Sequence, residues 1–213
     1  MRLDEALAAL PLIAILRGLR PPEAVQVAGI LYDAGFRVVE VPLNSPAPLD
    51  SIARIAAHFA GRLVTGAGTV VESGAVPKLA EAGAELVVAP NFDRDVVGEA
   101  VSLGLAALPG VLSASEAFAA LAAGAAGLKL FPAEMVPPPA LKALRAVLDP
   151  ATIVLPVGGI SLANMAAYRD AGASGFGIGS SLYKPGMSTA DVGETARRWV
   201  AAWRSASTAA PTG

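Results

Sequence analysis

The amino-acid sequence predicts an α/β fold, a single (β/α)8 or TIM barrel with a short N-terminal helix. Eight short apolar runs alternate with Ala-rich helical patterns from one end of the chain to the other. Such alternation predicts parallel strands joined by helical crossovers, and strands that are apolar on both faces are typically buried on both faces. Gly83 lies 48 residues after Gly35, and Gly172 lies 48 residues after Gly124. This repeat, equal to two βα units, supports the count of eight.

Each predicted strand is followed by a predicted helix. The strands are expected at residues 11–17, 38–42, 63–68, 86–89, 105–108, 127–131, 152–157 and 175–179. The helices are expected at residues 22–34, 47–60, 73–82, 93–102, 113–123, 137–148, 161–171 and 188–204. Four helical patterns end in a glycine that can supply a left-handed C-cap, namely Gly35, Gly83, Gly124 and Gly172. Residues 1–10 are expected to close the lower end of the barrel, residues 1–205 to form one domain, and residues 206–213 a flexible tail.

The composition excludes several kinds of chemistry. The 213 residues include no Cys, which removes disulfides, thiolate zinc sites and a Cys nucleophile, and favours a cytoplasmic protein. The single His, His58, lies in an amphipathic helical pattern and is expected on the surface, so no Ser-His-Asp triad or His-rich zinc site is predicted. A net charge of −2 without a basic cluster predicts no positively charged surface for nucleic-acid binding. The most apolar region, residues 101–128, is too interrupted by Gly and Pro for a membrane span.

Two charged residues within apolar strands are the strongest candidates for catalysis. Active sites of α/β barrels lie at the carboxyl ends of the strands. Lys129 stands between Leu128 and Leu130, so strand alternation directs it to the opposite face, and a desolvated amine there can act as a nucleophile. Glu40 ends a similar strand and could move protons. For Lys129 the alternative is a lysine that snorkels to solvent or pairs with a phosphate, and for Glu40 it is a structural ion pair with Lys129 or Arg17.

Two glycine-containing motifs follow the last two strands. Gly158-Gly159 and Gly179-Ser180 occur where many barrels bind phosphate, because glycine lets backbone N–H groups approach an anion and a helix N-terminus favours it. Tight turns alone are the alternative explanation. Arg17, at the end of the first strand, is placed to hold a carboxylate, or otherwise to form a salt bridge at the barrel mouth.

Seven short motifs lie at or near the strand ends: IAILRG at 13–18, EVPLNSP at 40–46, GAGTV at 66–70, PN at 90–91, LKLFP at 128–132, VGG at 157–159 and GIGS at 177–180. Together they resemble the class I aldolases for 2-keto-3-deoxy-6-phosphosugar acids, over roughly residues 10–205. The resemblance implies a metal-free, cofactor-free aldol cleavage. Its products would be pyruvate and D-glyceraldehyde 3-phosphate.

The resemblance also implies a role for each matched residue. Lys129 would form the Schiff base with the C2 carbonyl of the substrate, and Glu40 would be the general acid and base. The remaining residues would bind substrate: Arg17 and Thr69 its carboxylate, Pro90 and Phe131 its pyruvyl part, and Gly158, Gly159, Gly179 and Ser180 its 6-phosphate.

Two further positions of the resemblance bear on the sugar epimer. Gluconate-specific relatives usually carry Arg at the position of Asn44 and Thr at that of Val157, and this chain has the galactonate-type residue at both. A Val side chain lacks the hydroxyl with which Thr could hydrogen-bond the C4 hydroxyl of one epimer. The galactonate configuration is therefore expected, with the gluconate epimer as the alternative substrate. The resemblance further implies a homotrimer.

Two other classes of function stay open on the residues alone. A metal-independent phosphosugar epimerase or isomerase would use Glu40 as its base and Lys129 only for electrostatic stabilisation. A non-catalytic phosphosugar-binding module would need neither residue for chemistry. Borohydride reduction in the presence of pyruvate separates both readings from the aldolase, because only a Schiff base is trapped.

Overall fold

A computed structural model describes residues 1–207, which form a mixed α/β fold with a curled parallel sheet. The strands are β1 (Leu12–Ile15), β2 (Val38–Pro42), β3 (Val64–Gly68), β4 (Leu86–Val88), β5 (Ala106–Leu108), β6 (Gly110–Val111), β7 (Leu128–Leu130), β8 (Val154–Pro156) and β9 (Phe176–Ile178). The α-helices are α1 (Leu3–Ala9), α2 (Pro21–Ala34), α3 (Pro48–His58), α4 (Val76–Glu81), α5 (Arg94–Ser102), α6 (Ala114–Ala122), α7 (Pro138–Arg145), α8 (Met165–Asp170) and α9 (Thr189–Ser207). Short 3₁₀ helices occupy Ser73–Ala75 and Ala133–Met135.

The strands pair in two sheets, and every pairing is parallel. Six strands follow the order β5-β4-β3-β2-β1-β9, and three follow the order β6-β7-β8. A parallel bridge between Val157 and Gly177 links the end of β8 to β9. On the other side, Pro109 separates β5 from β6, although its carbonyl accepts a 2.9 Å hydrogen bond from the backbone N–H of Lys129. The carboxyl ends of all strands therefore lie on one side of the curled sheet.

The inner face of the curled sheet carries its own apolar cluster. Ile13, Val38, Val64, Leu86 and Leu155 belong to this cluster, together with Ala6 and Leu7 of α1. The predicted N-terminal helix is thus present, and it packs against the inner cluster. The residues that alternate with these in sequence pack outward against the helices in a second, larger cluster. This in-and-out alternation decides which strand residues face the interior.

The four predicted C-cap glycines all have left-handed backbone geometry. Gly35, Gly83, Gly124 and Gly172 have φ values of +119°, +81°, +96° and +100°. This confirms the expectation that glycine ends these helices before the next strand, because a left-handed residue without Cβ costs little.

The structure corrects several predicted boundaries. The short strand β6 was not predicted, because Pro109 interrupts the apolar run. The helix expected at 161–171 begins only at Met165, because the Asn164 side chain holds residues 159–161 in a turn. Helix α9 includes residues 206 and 207, which the sequence prediction assigned to the tail, whereas residues 208–213 of that tail lie outside the described residues. No helix in residues 1–207 is long and apolar enough to cross a membrane.

Candidate active site

Lys129 lies in the middle of β7 with its side chain on the inner face of the sheet. Its neighbours Leu128 and Leu130 both belong to the outer apolar cluster, so the predicted alternation is confirmed. The residue is 7% exposed, and its Nζ lies 4.5 Å from the centre of the Phe131 ring. Burial lowers the pKa of the Lys129 amine; the Glu40 carboxylate opposes this shift and Arg17 adds to it. A larger fraction of the amine is therefore neutral than in a solvent-exposed lysine.

Glu40 lies on β2, two residues after Val38 and on the same inner face. It is 2% exposed, and its Oε2 atom has no hydrogen-bond partner within the described residues. Burial raises the pKa of Glu40 to about 7, and the positive charges of Lys129 and Arg17 limit that shift. Gly68 on β3 makes room for the carboxyl group, because a Cβ at that position would overlap both carboxyl oxygens.

Glu40 and Lys129 line one small internal cavity. The rest of its lining is almost entirely apolar and includes Ile13, Leu108 and Val157. Such a lining explains why both charged forms are disfavoured, since no polar group replaces the lost water. An amine and a carboxyl group with shifted pKa values, held beside each other at the strand ends, are suited to nucleophilic attack and proton transfer.

A cleft of about 400 Å³ opens beside this cavity and shares three of its residues: Ile15, Val157 and Gly177. The other residues lining the cleft are Arg17, Phe131, Gly158, Gly159, Ile160, Gly179, Ser180, Ser181 and Tyr183. The cleft thus brings together most of the residues predicted to bind substrate.

The expected phosphate loops lie in the cleft, but their surroundings differ from the prediction. Gly158 and Gly159 have positive φ values of +98° and +63°. Neither loop leads directly into a helix: α8 begins at Met165 and α9 at Thr189, so a helix N-terminus does not contribute at either loop. Within residues 1–207, no hydrogen bond has the backbone N–H of Gly159, Ile160, Ser180 or Ser181 as its donor. Consecutive free N–H groups of this kind can bind an anion.

Arg17 is an exposed residue just after β1, at the rim of the cleft. Its Nη1 donates a 2.7 Å hydrogen bond to Oδ1 of Asn44. The loop of Arg17 is tied to the loop of Asn44 a second time, because the backbone N–H of Gly18 donates to the buried Oγ of Ser45 at 2.9 Å. Asn44 itself does not line the cleft, so in this structure it reaches the site only through Arg17.

Two further predicted substrate residues, like Asn44, do not line the cleft. Neither Thr69 nor Pro90 is among the described residues that line the cleft or the small cavity. Thr69 has a positive φ of +58°, which a β-branched residue rarely adopts and which is often found at functional sites. His58 is exposed at the end of α3, as predicted, with its ring edge against Phe59. No group of three or more acidic or His side chains in residues 1–207 could hold a metal ion.

The sequence analysis missed residues that shape the cleft from outside the matched motifs. The Glu134 side chain covers the faces of Gly158 and Gly159 on which a Cβ would stand. Asn164 and Ser181 donate hydrogen bonds to backbone carbonyl groups of the loop after β8. Tyr183 donates to Glu23 on α2. Of these residues, only Asn164 could have been identified from the sequence, because an Asn three residues after Ser161 is typical of a side chain that stabilises a turn.

Comparison with known proteins decides the family. The family model described as "Aldolase: KDPG and KHG aldolase" matches residues 3–197. The chain belongs to the KDPG and KHG aldolase family. This family consists of class I, Schiff-base aldolases, so the chain is an aldolase, a carbon–carbon lyase.

Two similar relatives are named for the same activity. A probable 2-dehydro-3-deoxy-6-phosphogalactonate aldolase of Rhizobium meliloti is 47% identical over 193 residues, which cover 91% of each chain. The 2-dehydro-3-deoxy-6-phosphogalactonate aldolase of Escherichia coli is 45% identical, covering 92% of this chain and 96% of its own. A solved structure titled "Native KDPGal structure" superposes with a TM-score of 0.92 at 44% identity, covering 93% of this chain and 97% of that one.

Proposed function

We propose that this KDPG and KHG aldolase family member cleaves 2-dehydro-3-deoxy-6-phospho-D-galactonate to pyruvate and D-glyceraldehyde 3-phosphate through a Schiff base on Nζ of Lys129. The observation that carries the proposal is the buried pair of Lys129 and Glu40, which line one apolar cavity at the carboxyl ends of the strands. Two relatives with 45% and 47% identity are named for this activity, which supports the same substrate here.

The pair can supply each proton transfer of the reaction. The neutral amine of Lys129 attacks the C2 carbonyl, and one amine proton passes to the oxygen to give a carbinolamine. Neutral Glu40 then protonates this hydroxyl, which leaves as water, so that a protonated imine and the Glu40 carboxylate remain. Loss of the C4 hydroxyl proton to the Glu40 carboxylate then breaks the C3–C4 bond, releases the aldehyde and leaves the electron pair in an enamine. Protonation of C3 and hydrolysis free pyruvate. A pKa near 7 suits a group that must both give and take protons.

Residues in the cleft, together with Thr69 and Pro90 outside its lining, would bind the two ends of the substrate. Arg17 would hold the carboxylate, with Thr69 as a second partner, and Pro90 and the Phe131 ring beside Lys129 would shape the pyruvyl pocket. The phosphate would bind to the loops of Gly158-Gly159 and Gly179-Ser180. The free N–H groups of these loops, in residues that line one cleft, support that assignment.

The galactonate configuration is supported by Val157, which lines both the cavity and the cleft and so stands between the reacting carbon atoms and the phosphate loops. Its side chain offers no hydrogen bond to a C4 hydroxyl. Asn44 is the second galactonate-type residue, and it acts through its bond to Arg17.

The architecture and assembly complete the proposal. The bridge between Val157 and Gly177 and the bond from Lys129 to Pro109 favour one complete eight-stranded barrel, in which β5 and β6 count as a single strand. Residues 1–205 would form this domain.

A cytoplasmic homotrimer is proposed as well, and the exposed Leu112, Phe118 and Met135 would be candidates for its interface. Light scattering of the purified protein tests the trimer.

Borohydride reduction with saturating pyruvate tests the chemistry. The expected result is the mass of one reduced pyruvyl adduct, mapped to the peptide that carries Lys129. The variant Lys129→Ala should fold, lose turnover and give no adduct, whereas Lys142→Ala on α7 should react like the wild type. Wild-type enzyme that turns over substrate without an adduct would contradict the Schiff base, and wild-type enzyme that binds substrate without releasing pyruvate would contradict the aldolase.

A further inference from the structure

The loop after β8 is held in shape by the side chain of Asn164. Its Oδ1 accepts a 2.8 Å hydrogen bond from the backbone N–H of Ser161, and its Nδ2 donates a 2.9 Å hydrogen bond to the carbonyl of Gly159. One amide group therefore bridges both sides of the turn. Because Asn carries a donor and an acceptor on one planar group, it can satisfy both bonds at once.

A second side chain holds the same loop from the neighbouring strand. The hydroxyl of Ser181, in the loop after β9, donates a 3.1 Å hydrogen bond to the carbonyl of Ile160. The carbonyl groups of Gly159 and Ile160 are thus both engaged by side-chain donors. The backbone N–H groups of the same two residues have no acceptor within residues 1–207.

The orientation of these peptide groups determines whether the loop attracts or repels an anion. A phosphate is attracted by N–H groups and repelled by carbonyl oxygens, so a peptide plane that rotates turns an attractive group into a repulsive one. Gly158 and Gly159 have left-handed backbones, and glycine rotates between conformations with little steric cost. The loop needs other groups to fix its peptide planes, and Asn164 and Ser181 are the side chains that bond to it.

We propose that Asn164 is a positioning residue for the phosphate end of the substrate: by holding the carbonyl of Gly159 it fixes the peptide plane that carries the N–H group of Ile160 and keeps that N–H directed at the phosphate, while Ser181 supports the turn by holding the next peptide plane through the carbonyl of Ile160. This inference rests on the proposed function, because it assumes that the loop binds the 6-phosphate. It assigns to Asn164 no contact with substrate.

The experiment compares a phosphorylated ligand with one that lacks a phosphate. Asn164→Ala removes two hydrogen bonds and should raise KM for the phosphorylated substrate about 5- to 30-fold, with kcat changed less than about threefold. Inorganic phosphate should inhibit the variant more weakly than the wild type by a similar factor. Borohydride trapping with pyruvate, which has no phosphate, should keep the wild-type dependence on pyruvate concentration.

Three further variants separate positioning from general stability. Ser181→Ala should raise KM for the phosphorylated substrate by a smaller factor, and Ser181→Thr, which keeps the hydroxyl, should restore it. Asp149→Ala is the matched control, because Asp149 accepts a 2.7 Å hydrogen bond from the backbone N–H of Ala151 in the loop that precedes β8, away from the cleft. It should leave KM unchanged. If Asn164→Ala does not fold, the comparison of Ser181→Ala with Ser181→Thr provides the same test.

The outcomes distinguish this inference from the function on which it rests. Wild-type protein that pyruvate and borohydride do not modify contradicts the proposed function. Wild-type protein that is modified, together with Asn164→Ala and Ser181→Ala enzymes of unchanged KM, overturns only the positioning role. Equal losses of pyruvate trapping and of phosphorylated-substrate affinity in Asn164→Ala would also overturn it, since they would indicate a general structural effect.

Discussion

Glu40 and Lys129 line the same small cavity, yet the two side chains form no salt bridge in the part of the chain that the structure describes. Burial acts on them in opposite directions: it raises the pKa of Glu40 to about 7 and lowers the pKa of Lys129. Each group restrains the shift of the other through its charge. The result is a site that disfavours the charged form of both groups, so a larger fraction of each is neutral than it would be in solvent.

The raised pKa of Glu40 predicts how stability depends on pH. A carboxyl group with a pKa near 7 in the folded state and 4.5 in the unfolded state binds more protons when folded, so its contribution is fully present below pH 4.5 and is lost as pH rises to about 7. The loss amounts to roughly 3 kcal/mol for a shift of this size. Urea unfolding at a series of pH values between 4.5 and 7, compared with Glu40→Gln, measures it.

Glu40→Gln should remove this pH dependence because an amide does not titrate. Lys129→Met should move it to higher pH, since the positive charge of Lys129 lowers the pKa of Glu40. Parallel curves for the wild type and Glu40→Gln would contradict a carboxyl group whose pKa is raised by burial.

Gly68 predicts a second test of Glu40 that leaves the carboxyl group in the chain. A Cβ at this position would overlap the Glu40 carboxyl oxygens, so Gly68→Ala should push Glu40 out of its place on the inner face. We expect kcat to fall by about 100-fold or more, the usual contribution of a positioned acid or base. Gly98→Ala is the matched control, because a Cβ there would meet nothing within 4 Å. A Gly68→Ala enzyme with wild-type kcat would show that Glu40 is not the proton-transfer group.

The hydrogen bond between Arg17 and Asn44 predicts an order of pyruvate affinities. Asn44→Ala removes the acceptor at 2.7 Å that orients Arg17, so the pyruvate concentration for half-maximal borohydride trapping should rise a few-fold. Asn44→Asp should raise it further, because a carboxylate on Arg17 competes with the carboxylate of the ligand. An Asn44→Asp enzyme that binds pyruvate as tightly as the wild type would place the ligand carboxylate elsewhere.

Strand alternation explains why the inner-face residues could be predicted from the sequence. Lys129 alternates with two leucines, and a strand places successive side chains on opposite faces whatever the tertiary context. The glycines that end helices could be predicted for a similar local reason. Both signals are contained within a few consecutive residues.

Other features depend on contacts between distant segments, and no local pattern indicated them. The strand β6 exists only because Gly110 and Val111 pair with β7. The left-handed backbone of Thr69 goes against the preference of a β-branched residue, so no sequence pattern indicated it. The packing of Glu134 on two glycines 24 and 25 residues later in sequence depends on the loops after β7 and β8 meeting at the cleft.

That packing predicts the effect of filling Gly159. Gly159→Ala places a Cβ against the Glu134 side chain and forces a non-glycine residue into a left-handed backbone. The backbone strain alone should lower the free energy of unfolding by about 1–2 kcal/mol. The double variant Glu134→Ala, Gly159→Ala should recover the part that is due to the clash and retain the part that is due to strain. Full recovery would contradict a backbone requirement for glycine.

Val157 predicts a change of substrate preference without a change of shape. Its side chain is 7% exposed and packs closely against Gly177, where a Cβ would lie 2.7 Å from Cγ2 of Val157, so only a residue of similar size fits. Val157→Thr keeps the shape and adds a hydroxyl that can pair with a C4 hydroxyl of the gluconate epimer. The ratio of kcat/KM for the two epimers should move toward gluconate by about 5- to 10-fold, the value of one hydrogen bond.

A coupled assay of pyruvate release with both 6-phosphorylated epimers measures this ratio. Val157→Ala serves as the control, because it changes the same side chain without adding a hydroxyl, and it should weaken turnover of both epimers alike. If Val157→Thr leaves the ratio at the wild-type value, the C4 hydroxyl does not lie against this side chain. The choice of epimer would then have to come from the rim of the cleft, where Asn44 acts on the orientation of Arg17.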